Sequence, residues 1–386
     1  MAVEGKRHDA IDGLPSMATP CTLICSNAAM RLFGCEAMTT PDDRGFSNMW
    51  SSRDDVMEPS GALEKTTQRS RLNWVDWLRF GPWLAQVVII RRCNLSCRYC
   101  SEYDNTSEPI PFALLKLRFE KLRALRTWAL CLTGGEPTLH PQLPELVQEM
   151  QTLGFRRRQL ITNGYRLNRT LIEQLNASGL TDMQISVDGV TPNAMTVKTL
   201  KPLRRGLALL AEHARFQVVM SGVIGSAPPE EVLAVVEFAQ QHGFTPRILL
   251  IHDDKGQVKL TPAELVAYRE AKRRIGRAAA EASDYRERLM GTGQAPFKCR
   301  SGSRYLYVDE FGRVHWCAQT RGVFSKDLRA YTLADLREQF YTTKSCNVHC
   351  TIGCARTASA LDQWRAQPLP FRQGSCPNRE IDINRA

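Results

Sequence analysis

The chain has 386 residues, 43% hydrophobic and 24% charged, with 51 Lys and Arg against 40 Asp and Glu for a formal net charge of +11. That balance excludes a disordered chain and fits a folded protein of two or three domains. The longest apolar runs, LAQVVII and LALLA, fall far short of the roughly 20 residues of a membrane helix, and the basic residues are scattered over helix faces, so neither a membrane span nor a nucleic-acid partner is expected.

The first thirty residues lack the basic start and apolar block of a secretory signal, which makes the cytoplasm the expected compartment. Residues 1–72 show no sustained hydrophobic period; stretches such as TTPDDRGFSNMWSSRDDVMEPSG read as a flexible N-terminal extension, and its Cys21, Cys25 and Cys35 as free thiols. The tryptophans of the following LNWVDWLRFGPWLAQ (Trp74, Trp77 and Trp83) are expected to pack against the body of the protein.

From residue 86 an alternation sets in. QVVII reads as a buried strand, PFALLKLRFEKLRALR as a helix, WALCLT as a strand and HPQLPELVQEMQTLG as a helix. RQLIT, DMQISV, FQVVMSGVI and PRILLI continue the strands, with NRTLIEQLNASG, LRRGLALLAEHA and PPEEVLAVVEFAQQHG as the helices between them. Six or seven βα units with short joins specify a parallel sheet with right-handed crossovers, open or closed into a full or partial barrel. Functional groups then belong at the carboxyl ends of the strands. Near residue 290 the rhythm changes: RYLYVDEFGRVHWC reads as a β-hairpin, and a cysteine-rich segment follows. The expected domains are therefore 73–290 and 291–386.

Thirteen cysteines in such a chain point to metal or redox use, since reducing compartments do not sustain disulfides. Cys93, Cys97 and Cys100 follow the first strand, Thr133–Pro137 (TGGEP) the second, Thr162–Gly164 (TNG) the third and Ser186–Gly189 (SVDG) the fourth. Three thiols without a fourth local ligand do not complete a structural zinc site. Soft thiolates on one loop suit a cubane iron-sulfur cluster that leaves one iron open to a small molecule. In TGGEP the glycines allow a close backbone approach, Glu136 offers a carboxylate to an ammonium group, and Pro137 stiffens the turn.

The CxxxCxxC loop with Tyr99 before its last cysteine, one βα unit ahead of GGEP, resembles the radical S-adenosylmethionine (SAM) enzymes. The resemblance covers about residues 84–255 and implies a partial (β/α)6 TIM-type barrel. It implies that Cys93, Cys97 and Cys100 hold a 4Fe-4S cluster whose open iron binds SAM. One electron, from a reductase such as flavodoxin or ferredoxin, then cleaves the sulfonium to a 5′-deoxyadenosyl radical that takes hydrogen from a substrate. Carried over by position, Tyr99 matches the aromatic near the adenine and Gly134, Gly135 and Glu136 the loop meeting the SAM ammonium. Asn163, Ser186 and Asp188 would face the SAM head or ribose. No catalytic side chain is assigned, and peptide and small-molecule substrates stand about even.

The later cysteines resemble the SPASM and twitch extensions of such enzymes, which bind one or two auxiliary iron-sulfur clusters. Cys299, Gly312 and Cys317 stand as C-x12-G-x4-C, and Cys346, Cys350, Cys354 and Cys376 follow, with C-x3-C-x3-C where a full SPASM segment has C-x2-C-x5-C-x3-C. Six cysteines do not fill two cubanes, which take eight thiolates. Either one cluster is complete, or both sites are part-filled with help from a group such as His315 or His349, or four of the six hold zinc. Cys131, inside WALCLT, is expected in the core. The reading from a different class is a non-catalytic iron-sulfur electron carrier or scaffold.

Overall fold

Seven consecutive apolar or amide residues, Leu84–Ile90, form strand β1, and all seven are buried, as a strand covered on both faces requires. The structure, a computed structural model, describes residues 69–100, 102–251, 258–360 and 362–364. Cys21, Cys25, Cys35 and Cys376, and the N-terminal extension up to residue 68, lie outside the described residues. Residues 69–72, read from the sequence as the end of that extension, form the first turn of helix α1 (Arg69–Phe80).

Strands β2 (Ala129–Gly134), β3 (Arg157–Thr162), β4 (Asp182–Ser186), β5 (Gln217–Ile224) and β6 (Thr245–Leu250) follow β1. They lie parallel, side by side in sequence order. Helices α2 (Phe112–Ala124), α3 (Leu143–Thr152), α4 (Arg169–Ala177), α5 (Leu200–His213) and α6 (Pro229–Gln241) make the crossovers. A sheet that never skips a strand is the expected partial barrel.

The helices form where the sequence supplies both an apolar stripe and a start signal. Leu200, Leu203, Leu207 and Leu210 give α5 one buried face. Asn168 Oδ1 caps α4 by accepting from Leu171 N at 2.9 Å. A Thr261–Glu264 capping box opens α7 (Pro262–Ile275), and α8 (Arg277–Thr292) follows.

The expected hairpin is present as β7 (Tyr305–Val308) and β8 (Arg313–His315), with β9 (Lys326–Asp327) beside it. β7 pairs in parallel with β1, so the C-terminal segment continues the barrel sheet to nine strands. This pairing covers a β1 edge whose N–H and C=O groups would otherwise be unpartnered. Arg118, read from the sequence as a solvated helix residue, is buried where the hairpin turn docks on α2. It donates to Glu310 O at 2.9 Å. Helices α9 (Leu333–Tyr341) and α10 (Gly353–Ala360) follow the hairpin.

Trp77 and Trp83 pack as expected: Trp83 stacks on Trp128 with centroids 4.5 Å apart, Trp77 lies against the main core, and the neighbouring Phe80 meets Phe340 edge-on; the side chain of Trp74 lies outside the described residues. Side chains of β1 alternate between two apolar clusters. Ala85, Val87 and Ile89 join the large one under the helices. Leu84 and Val88 join a second one with Cys131, Cys299, Cys317 and Cys354, so the later cysteines pack on the inner face of β1 and β2. Among the described residues no helix is long and apolar enough to cross a membrane.

Candidate active site at the carboxyl end of the barrel

The loop after β1 is pinned at both ends. Cys93 N donates to Asp104 O at 3.0 Å and Asp104 N to Arg91 O at 3.1 Å, which closes the loop on its own stem. Within it, Cys100 N bonds Cys97 O, and Arg98 N reaches across to Met195 O after β4. The thiols of Cys93, Cys97 and Cys100 open on one pocket with Gly134, Gly135, Asn163, Ser186 and Lys198. The pocket has a volume of about 110 Å³.

The two glycines are required by packing against the stem of the cysteine loop. A Cβ on Gly134 would stand 2.0 Å from Ile90 O, and one on Gly135 2.2 Å from Arg91 O. The amides of Gly135 and Glu136 donate to Ile90 O and Arg92 O. The GGEP turn therefore clasps the end of β1 and holds the cysteine loop against the ligand pocket.

Glu136, Tyr99 and Asp188 are not among the residues that line this pocket. Glu136 is fully buried. Its Oε1 accepts from Thr138 N (3.0 Å), Thr138 Oγ1 (2.6 Å) and Thr162 Oγ1 (2.6 Å), and its Oε2 from Asn163 N (2.7 Å). Burial pushes its carboxyl above the ordinary value while these bonds pull the other way. Four donors hold the group, three on Oε1 and one on Oε2, and tie it to the β3 end. Tyr99 is buried, and its hydroxyl donates to Asp188 Oδ2 at 2.5 Å. Thr196 Oγ1 donates to the same oxygen at 2.7 Å and lies 3.8 Å from Cys97 Sγ.

Four residues not singled out from sequence complete the site. Lys198 lines the pocket, pairs with Asp188 Oδ2 at 3.6 Å and lies over the Tyr99 ring. Burial would lower its pKa, but Asp188, Tyr99 and Cys97 hold it well above the ordinary value, so it is an ammonium. Asn94 accepts from Asn163 Nδ2 at 2.8 Å and ties the cysteine loop to β3. Glu102 and Tyr307 form the wall toward the C-terminal hairpin. A polar residue in the turn after β4 was the available signal for Lys198; nothing local marked Asn94.

The donor set fits an iron-sulfur cluster. Burial first, then Glu136 and the neighbouring Cys100 and Cys97 thiols, push Cys93 up to about 11 against the help of Leu95 N–H. Such converging thiols stay protonated alone and ionise onto a cationic group. Among the described residues no three His, Cys, Asp or Glu side chains surround a point that one metal ion could occupy, so a mononuclear zinc site is not preformed.

At the second centre, burial first and then the thiols of Cys299, Cys317 and Cys346 push the Cys350 thiol well above its ordinary value. Cys354 is fully buried in the apolar cluster that also contains Cys299 and Cys317. His315 is spent on Asp309 Oδ2 (2.8 Å) and Phe324 O (3.0 Å). Ala318, next to Cys317, lines the first pocket, so the two centres share a wall.

Fold and site together define an iron-sulfur enzyme built on a parallel α/β barrel. The chain matches the model of the radical SAM superfamily over residues 87–257; members of that superfamily bind a 4Fe-4S cluster and SAM. It is 27% identical over 337 residues to the PqqA peptide cyclase of Xanthomonas campestris pv. campestris, covering 78% of this chain and 81% of that enzyme. It is 29% identical over 170 residues to the 7,8-dihydro-6-hydroxymethylpterin dimethyltransferase of Methanocaldococcus jannaschii, spanning 41% of this chain and only 34% of that protein. Streptococcus suis SuiB bound to its precursor peptide SuiA shares the fold, with a TM-score of 0.57, 13% identity and 83% of each chain covered. Relatives that are cyclases and methyltransferases place this chain among enzymes and leave the electron-carrier alternative without support.

Proposed function

We propose that this chain abstracts hydrogen from a peptide substrate, with residues 73–290 as the radical SAM core and 291–386 as an auxiliary-cluster extension. The observation that carries the reading is one shared pocket at the carboxyl ends of the strands. There Cys93, Cys97 and Cys100 face Gly134, Gly135, Asn163 and Ser186. The three thiols would hold the SAM-binding cluster, which supplies the electron that cleaves the SAM sulfonium and so releases the hydrogen-abstracting 5′-deoxyadenosyl radical.

The chain's own residues set the geometry. Gly134 and Gly135 let β2 close on the loop stem, Asn163 holds Asn94, and Glu136 fixes the turn that presents Asn163. Lys198 places an ammonium where a carboxylate of the ligand is recognised. Tyr99, Asp188 and Thr196 brace the loop from behind.

The second centre supplies the four thiolates that one 4Fe-4S cluster takes, from Cys299, Cys317, Cys346 and Cys350. Cys354 serves in the core, and Cys376 is not needed to complete the set. An auxiliary cluster held there would share the Ala318 wall with the first pocket and would offer the chemistry of an electron acceptor. Similarity to a peptide cyclase across 81% of that enzyme favours a peptide over a small metabolite. A flavodoxin- or ferredoxin-type reductase in a reducing cytoplasm supplies the electron.

The test is isotope transfer. Anaerobically reconstituted protein is incubated with SAM, a strong reductant and deuterated candidate peptides. Deuterium in 5′-deoxyadenosine is expected from a peptide. Deuterium arriving only from a small-molecule metabolite pool refutes the peptide assignment.

A further inference from the structure

A part-buried group of charges lies where the cysteine loop leaves the barrel, two residues after Cys100. Glu102 Oε2 accepts from Tyr307 Oη at 2.7 Å, Arg91 at 3.1 Å and Arg321 at 3.2 Å. Arg321 also bonds both oxygens of Glu310 at 2.7 Å, and Glu310 lies 3.9 Å from Arg91. Arg91, Glu102, Arg321 and Glu310 thus form a ring of alternating charge, each only 16–23% exposed. An isolated surface pair contributes little, but a part-buried closed network resists rearrangement at every member.

The ring joins four pieces of chain: both stems of the cysteine loop, the turn of the C-terminal hairpin, and the segment four residues beyond Cys317. Glu102 and Tyr307 also line the pocket. Among the described residues two backbone bonds, Cys93 N to Asp104 O and Asp104 N to Arg91 O, close the loop at this point. The far side is held separately, through Asn94 and Arg98. We propose that Glu102 is a positioning residue through which the C-terminal hairpin sets the cysteine loop for SAM. The proposal rests on Cys93, Cys97 and Cys100 as the ligands of the SAM-binding cluster.

Arg321→Met in the full chain opens the ring without touching the loop, and Glu102→Gln opens it from the other side. Amide exchange in the apoprotein reads the joint without any cluster. The Cys93 and Asp104 amides should exchange about tenfold faster in Arg321→Met, with β3 to β5 unchanged. In reconstituted protein, iron content should hold while the SAM concentration for half of the change in the reduced cluster's electron paramagnetic resonance spectrum rises about tenfold. The double variant should be no worse than Glu102→Gln alone, as members of one network are non-additive. Unchanged exchange at Cys93 and Asp104, additive effects, or faster exchange with an unmoved SAM response each overturn the positioning role. Wild-type protein that binds no iron through Cys93, Cys97 and Cys100 overturns instead the ligand assignment beneath it.

Discussion

Replacing Glu136 by Ala separates two roles for the carboxylate. If it served a ligand, apoprotein stability would not depend on it. In the structure it receives two backbone amides, Thr138 N and Asn163 N, at a fully buried position. The threonine hydroxyls can turn to other acceptors, but the amides cannot. Each buried amide left unsatisfied costs about 1–3 kcal/mol, so Glu136→Ala should lose about 2–6 kcal/mol. With a urea dependence of about 3 kcal/mol per M, the unfolding midpoint of the apoprotein falls by roughly 0.7–2 M. The pH dependence gives a second reading. Burial raises the folded-state value above the ordinary 4.5, so the linked stability is complete below that pH and declines as pH rises through the folded value. That decline should vanish in Glu136→Ala. A midpoint within about 0.2 M of wild type, with SAM binding lost, would refute the reasoning and return the carboxylate to the ligand.

Gly135→Ala puts a methyl 2.2 Å from Arg91 O and 2.5 Å from Arg92 O; reconstituted protein should lose about four irons, the content of one cluster. Full iron content would show that the loop stem can yield. Cys93, raised from 9.0 to about 11 in the apoprotein, should carry roughly a hundredfold less thiolate at pH 8 than an unperturbed thiol. Its alkylation rate should climb through pH 10, and a plateau near pH 9 would contradict the assignment. Cys317→Ala should also lose about four irons while Cys131→Ala, in the core, loses none. Equal iron in Cys317→Ala and wild type rules out the auxiliary cluster.

The barrel was legible because each strand is a short apolar run ending in a turn signal and each helix carries its own stripe, as in Leu200, Leu203, Leu207 and Leu210. The thiol loop was legible because its spacing is local. What the sequence hid is long-range. The pairing of β7 with β1 depends on residues more than two hundred positions apart, and only that pairing brings Tyr307 and Ala318 to the first pocket. The inward turn of Glu136 and Asp188 follows from donors on other strands and loops, Thr162, Asn163 and Tyr99, which no pattern around GGEP or SVDG shows. Arg118, charged on a helix that reads as amphipathic, is buried because the hairpin turn offers it carbonyls.

The central claim is that the Cys93, Cys97 and Cys100 pocket cleaves SAM. Its most direct test is to reconstitute the full chain with iron and sulfide under anaerobic conditions, add SAM and a strong one-electron reductant, and measure 5′-deoxyadenosine. The account predicts 5′-deoxyadenosine and methionine from wild type and from Cys131→Ala, and none from Cys97→Ala. Product formed equally by Cys97→Ala, or absent from iron-loaded wild type, would contradict it.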